Sequence, residues 1–168
     1  NLQIAQPDAV DLAPVVAPQA QMGRAHLSLG QVTQAEACFE RALPLAEARC
    51  EALAVGDSFL GLRDVLAQHS NAALRRFRGA LQAQPLLVAR ARSAGSWGAP
   101  DLGPTVSTLC ERAAGRFLRT ARERLARART ALVRCKDLPG WTEGHERDLV
   151  RTDANLAAMD EGLASFAR

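Results

Sequence analysis

The side chains that most often bind metals or transfer protons are few in this sequence. It has three histidines, His26, His69 and His145, and none lies in a catalytic motif such as a nucleophile elbow or a phosphate-binding loop. The densest cluster, Glu143-Gly-His145-Glu146, can seat a metal in principle, but the solvated start of a helix explains it better. We therefore predict a protein that is not an enzyme and that holds no metal or cofactor.

The four cysteines show neither a CxxC pair nor the spacing that is typical of zinc ligands. They are Cys38, Cys50, Cys110 and Cys135. Three of them share predicted helices with apolar residues, so they are interpreted as buried thiols that act as small hydrophobic groups. Because free thiols are typical of reducing compartments, an intracellular and cytoplasmic protein is expected.

Arginine is the residue whose frequency most suggests a binding function. Twenty of the 21 basic residues are arginine, and eight of them lie in one predicted helix. These are Arg112, Arg116, Arg119, Arg122, Arg124, Arg127, Arg129 and Arg134. Such a helix can follow the phosphates of a nucleic acid, but no aromatic residues interleave to stack on bases. A solvated, ion-paired face is favoured, and a nucleic-acid-associated module using residues 112–136 is the alternative.

Composition indicates the fold class. The chain has 168 residues, of which 48% are hydrophobic and only 4% aromatic, with no tyrosine. Alanine, leucine and arginine dominate, and these are strong helix formers. We therefore predict an all-α protein. No run of 18 apolar residues is present, so a membrane-spanning segment is not expected.

The first half of the chain contains an internal repeat with an offset of 38 residues. The stretch TQAEACFERAL, which begins at Thr33, is answered by NAALRRFRGAL, which begins at Asn71. The matched pairs are Ala35 with Ala73, Phe39 with Phe77, Ala42 with Ala80, and Leu43 with Leu81. Each unit is predicted to be a helical hairpin, with turns near residues 30–32 and 69–71 and a stop at Pro85. The matched residues are expected to stack one hairpin on the next.

This pattern resembles the tetratricopeptide repeat (TPR) over residues 19–85. The first unit matches at Gly23, Gly30, Ala35, Phe39 and Ala42, and the second at Leu60, Gly61, Ala73, Phe77, Ala80 and Pro85. Its offset departs from the usual period of about 34 residues. The family's first-helix Trp is absent, and its Tyr is replaced by His26 and Asp64. Two ordinary amphipathic hairpins are the alternative.

The resemblance implies a protein–protein interaction scaffold with a groove lined by the first helix of each hairpin. The matching positions are Ala20, Arg24, Leu27, Ser28, Ser58, Leu62, Val65 and Leu66. The lysine and asparagine with which chaperone-binding members clamp a peptide carboxylate are missing here. An apolar peptide or helix of another protein is therefore the expected partner, although the chain's own terminal hairpin could fill the groove instead.

The second half of the chain predicts a long antiparallel helical hairpin over residues 105–168. Its first helix is expected to open with a capping box from Thr108 to Glu111, and its second spans 142–167 with apolar residues at heptad spacing. Residues 111–136 hold nine basic and two acidic residues, whereas residues 142–168 hold three basic and six acidic ones. The predicted organisation is thus an N-terminal segment 1–18, two TPR-like hairpins over 19–92, a Gly/Pro-rich loop 93–104, and the hairpin.

Overall fold

The described part of the chain is helical, which confirms the predicted all-α class. The computed structural model describes residues 13–48, 52–95, 98 and 100–166, and it places five helices among them. They are α1 (Ala13–Ser28), α2 (Val32–Ala48), α3 (Ala52–Gly95), α4 (Gly103–Arg134) and α5 (Glu143–Ser165). No described helix is both long and apolar enough to span a bilayer.

Helices α3 and α4 form a long antiparallel pair on which the other helices pack. Cys135 Sγ lies 3.7 Å from Gly56 O, and Ser70 Oγ donates to Ala121 O at 2.8 Å. Farther along, Gln84 Nε2 lies 3.0 Å from Ser107 Oγ. Each contact is fourteen residues from the next on both helices, in opposite directions. The two helices therefore keep a seven-residue register along most of their shared length, as in a coiled coil.

Helix α3 corrects the prediction of a second hairpin. It runs for 44 residues through the turn predicted at 69–71 and through Pro85. The polar residues that suggested a turn are used in packing: Ser70 is buried against α4, and His69 lies 3.6 Å from Glu36 of α2. Pro85 leaves one carbonyl of the helix without its usual N–H partner. The 38-residue sequence repeat therefore does not produce a repeated hairpin, and two stacked TPR-like hairpins are absent.

Helices α1 and α2 form a hairpin that packs on the first part of α3. Phe39 of α2 is fully buried, and its ring fills the space above two glycines, Gly23 of α1 and Gly61 of α3. A Cβ atom on Gly23 would lie 2.8 Å from that ring, so the absence of side chains lets the three helices meet. Helix α1 begins at Ala13, before the predicted start of the first hairpin at residue 19, and it contains Pro18.

Helix α5 packs along the groove between α3 and α4. Thr142 caps it: its Oγ1 accepts a hydrogen bond from the His145 N–H, and His145 Nδ1 accepts one from the Thr142 N–H. The cluster around His145 is thus the start of a helix. Thr108 is not a cap, because α4 already begins at Gly103 and Thr108 Oγ1 donates to Pro104 O. The connection before α4 is shorter than predicted, and Trp97 within it lies outside the described residues.

Candidate interaction surface

The groove implied by the TPR resemblance is filled by the chain itself. Its four positions on α3, Ser58, Leu62, Val65 and Leu66, are all buried. Leu62 and Val65 pack with Phe39 and with Ala131 of α4, and Leu66 packs with leucines of α4. These four positions therefore line no open groove in the described part of the structure. The hairpin geometry on which the prediction depended does not form, and α4 occupies the face that the groove would have presented.

The predicted groove positions on α1 do not form a binding site with them. Ala20 is buried, and Leu27 packs at the edge of the cluster around Phe39. Arg24 is exposed and forms a 2.8 Å salt bridge with Asp57 of α3. Ser28 Oγ donates to Ala25 O at the end of α1. Only Arg24 and Ser28 therefore remain accessible, and both have partners within the chain.

The predicted repeat-packing residues divide into two unequal sets. In the first unit Gly23, Ala35, Phe39 and Ala42 are buried. In the second unit Gly61 and Ala73 are buried, but Phe77 and Ala80 are only half-buried. Phe77 meets Phe166 edge to face, with ring centroids 6.0 Å apart, so its partner comes from the end of α5. The two phenylalanines thus occupy different environments and not equivalent sites.

The basic residues over 122–136 all form salt bridges with described residues, so this part of α4 is an ion-paired face. Three of them meet acids of α5: Arg122 with Asp160, Arg129 with Asp153, and Lys136 with Glu146. The other three meet acids of α2: Arg124 with Glu36, Arg127 with Glu36 and Glu40, and Arg134 with Glu47. The sequence indicated the acidic character of α5, but nothing in it marked α2 as the second source of acids.

The three pairs with α5 show the direction and the register of that helix. The basic partners are seven residues apart on one helix, and the acidic partners are seven apart on the other, in opposite order. Helix α5 therefore lies antiparallel to α4. The hydrogen bond from Arg129 lowers the pKa of Asp153 and raises the pKa of Arg129. The pair thus favours the charged form of both groups.

Beyond this part, α3 and α4 continue without a third helix, and we call residues 75–95 and 103–119 the distal segment. Phe166 lies against Phe77 and close to Gly115, which places the end of α5 at the base of this segment. The distal segment carries eight arginines, none of which forms a salt bridge with a described residue. They are Arg75, Arg76, Arg78, Arg90, Arg92, Arg112, Arg116 and Arg119. Five of these lie on α3, for which no basic surface is predicted from the sequence.

Large apolar side chains are exposed among these arginines. Leu86 is 58% exposed and Leu109 is 57% exposed, and Leu81 and Leu87 are also exposed. On the side where α5 ends, a groove of about 770 Å³ continues between α3 and α4. Its lining residues are Leu81, Gln84, Thr108, Glu111, Arg112, Gly115, Arg119, Ser165 and Phe166. The distal segment is therefore both basic and apolar, and no third described helix covers it.

The remaining polar groups in the interior are used for structure. Arg63 Nη1 donates to Asp148 Oδ2 at 2.9 Å and joins α3 to α5, while its Nε lies 2.7 Å from Asp64 Oδ1. Partial burial raises the pKa of Asp64 despite that neighbour, and burial also raises the pKa of the Cys135 thiol. A thiol with a raised pKa is a poor nucleophile. Within the described ranges, no three side chains that bind metals lie together.

Comparisons with known proteins identify no relative. No protein-family model matches the chain, and neither the curated proteins nor the solved structures contain a significant match. The TPR resemblance thus receives no support from these searches.

Proposed function

We propose that this protein is a non-enzymatic protein–protein interaction module whose binding surface is the distal segment. One observation carries the proposal. The basic residues over 122–136 are all paired with acids of α2 or α5, whereas the distal arginines form no salt bridge within the described residues and surround exposed leucines. A surface that combines apolar side chains with arginine has the composition of protein-binding sites.

The alternative is a nucleic-acid-associated module. Between residues 75 and 119 the chain has eight arginines against two carboxylates, and such a charge attracts phosphates. This basic surface differs from the one predicted over residues 112–136. The arginines over 122–136 are ion-paired, whereas those of the distal segment form no salt bridge with a described residue. The exposed groups among these arginines are leucines, however, and leucine offers no aromatic surface for base stacking. A protein partner is therefore favoured.

A capture experiment with matched charge variants tests the proposal. The distal variant Arg112→Glu/Arg119→Glu removes two groove arginines. The control Arg41→Glu/Arg147→Glu makes the same charge change outside the distal segment. Both of these arginines are exposed, and neither forms a salt bridge with a described residue. Each immobilised protein is incubated with lysate of the source organism, with and without nuclease treatment, and bound proteins are quantified by mass spectrometry.

We expect at least one lysate protein to be enriched by the wild type and by the control but not by the distal variant. If all three proteins captured the same set, the distal segment would not be the binding surface. If enrichment disappeared on nuclease treatment, the nucleic-acid alternative would replace the proposal.

A further inference from the structure

The groove of the distal segment is the continuation of a site that the molecule already fills with its own helix. Upstream, α5 lies between α3 and α4, buries Leu149 and Met159, and places its acids against the basic residues of α4. Leu118 Cδ2 of α4 would be 3.1 Å from a Cβ on Gly162, which shows how closely α5 sits. Beyond the point where Phe166 ends this contact, α3 and α4 keep the same register towards Gln84 and Ser107, but no described helix covers them there.

The uncovered part keeps the chemical character of the covered part. Leu81 lines its α3 wall, and Arg112 and Arg119 line its α4 wall. Arg78 belongs to the adjoining cleft between α3 and α5 and faces the same side. The only carboxylate of the groove is Glu111, which accepts hydrogen bonds from Gln84 Nε2 and Ser107 Oγ. The groove thus offers two apolar side chains, Leu81 and Phe166, within a mostly polar lining in which arginines outnumber carboxylates.

We infer that this groove binds an acidic amphipathic helix of a partner protein, in line with α5. The inference rests on the proposed function, and it adds the chemistry and the place of the partner. Two helices of this chain already use the arrangement, because α5 and α2 both pack on the α3–α4 pair with acids directed at the arginines of α4. An amphipathic helix in a groove is a common mode of recognition, and charge complementarity adds specificity.

A second copy of the same distal segment does not suit the groove. The stretch 75–119 has a net charge of +6, since it has eight arginines and two carboxylates. Two such segments side by side would repel each other, as like charges across an interface do. The rest of the chain, with thirteen basic and sixteen acidic residues, has a net charge of −3. An acidic surface is therefore the complementary partner.

Two synthetic peptides test this chemistry. Both have 21 residues in three heptads with leucine at positions a and d; one has glutamate at positions e and g, and the other has glutamine there. Fluorescence anisotropy measures their binding to the full chain at physiological salt. We expect the glutamate peptide to bind at least about tenfold more tightly than the glutamine peptide. The Arg112→Gln/Arg119→Gln variant should lose most of that difference, and Arg41→Gln/Arg147→Gln should keep it.

Amide chemical shifts locate the bound peptide. In a ¹⁵N-labelled sample, we expect the glutamate peptide to shift the signals of Gln84, Thr108 and Gly115 and to leave those of Arg24 and Asp57, at the opposite end of α3, unchanged. Equal affinity for the two peptides, or shifts confined to residues outside the groove, would overturn the inference. Such a result would leave the capture experiment unaffected, because another class of protein could still bind the distal segment.

Two further outcomes would also overturn the inference. If a 20-nucleotide single strand or duplex of DNA bound more tightly than the glutamate peptide, with an affinity that fell steeply with added salt, the groove would be a phosphate site. If sedimentation showed that the protein associates with itself and that Arg112→Gln/Arg119→Gln abolishes this association, the occupant would be the acidic part of a second copy.

Discussion

The two halves of the α3–α4 pair have the same backbone register and opposite surroundings. In the first half, α1, α2 and α5 cover the pair, bury Phe39 and leucines, and neutralise every basic residue over 122–136. In the distal segment the pair stands without a third helix, with exposed leucines and with arginines that form no salt bridge to a described residue. The same helix pair therefore forms a packed core in one half and an accessible surface in the other. The difference lies in which acidic helices lie alongside.

The largest expected effect is a difference in stability between variants of Phe39 and Phe77, which occupy matching positions in the sequence repeat. Phe39→Ala removes a fully buried ring from the contact of three helices, so it should lower the free energy of unfolding by about 3–5 kcal/mol. Phe77 is half-buried against Phe166, so Phe77→Ala should cost about half as much. Urea denaturation of both variants measures the difference. Equal losses would mean that the two sites are equivalent after all, as the repeat predicts.

Replacing one glycine in each half by alanine should change the stability of the fold in opposite directions. Gly61→Ala places a methyl group into the Phe39 ring, and overpacking of this kind costs about 1–3 kcal/mol. Gly79→Ala lies in the distal segment, where nothing is within 4 Å of the added atom. It should stabilise α3 by about 0.5–1 kcal/mol, because alanine is the better helix former. Thermal unfolding compares the two, and stabilisation by Gly61→Ala would contradict the packing described for Phe39.

The fold class and much of the α4–α5 pattern could be predicted from the sequence because they depend on local spacing. Strong helix formers and the heptads of α5 are visible within one segment, and so is the acidic character of α5. Phe117 and Leu118 show the limit: both are apolar and adjacent on α4, yet Leu118 is buried and Phe117 is only half-buried. One residue of difference changes the face of a helix by about 100°.

The continuity of α3 and the location of the surface could not be predicted, because both depend on distant residues. His69 and Ser70 are turn-forming by local preference, but Glu36 and the Ala121 carbonyl hold them within a helix. The groove positions could not be recognised as buried, since the residues that cover them lie on α4. The distal arginines of α3 are unremarkable in sequence until α4 brings Arg112 and Arg119 beside them.

Charge reversal at three positions tests whether the arginines of the two halves have different roles. Reversing Arg122, Arg127 and Arg129 to Glu together turns four attractive contacts with α5 and α2 into repulsive ones, so the melting temperature should fall. Reversing Arg112, Arg116 and Arg119 changes the net charge by the same amount where no described acid is paired with them. That variant should keep its melting temperature. A similar decrease in both would mean that the distal arginines also stabilise the fold.

The smallest expected effect is a pH dependence of stability that arises from the ion pairs of the first half. The hydrogen bond from Arg129 lowers the pKa of Asp153 below its ordinary value of about 3.9, so the folded chain binds this proton less readily than the unfolded chain does. The stability that the pair contributes is then present above about pH 3.9 and is lost as the pH falls through the lowered pKa. Asp153→Asn should therefore melt below the wild type at pH 7, and the gap should close on acidification. Asp137→Asn, at an exposed carboxylate that has no salt bridge with a described residue, is the matched control. A gap that stays constant from pH 7 to pH 2 would show that the substitution acts through packing and not through the charge pair.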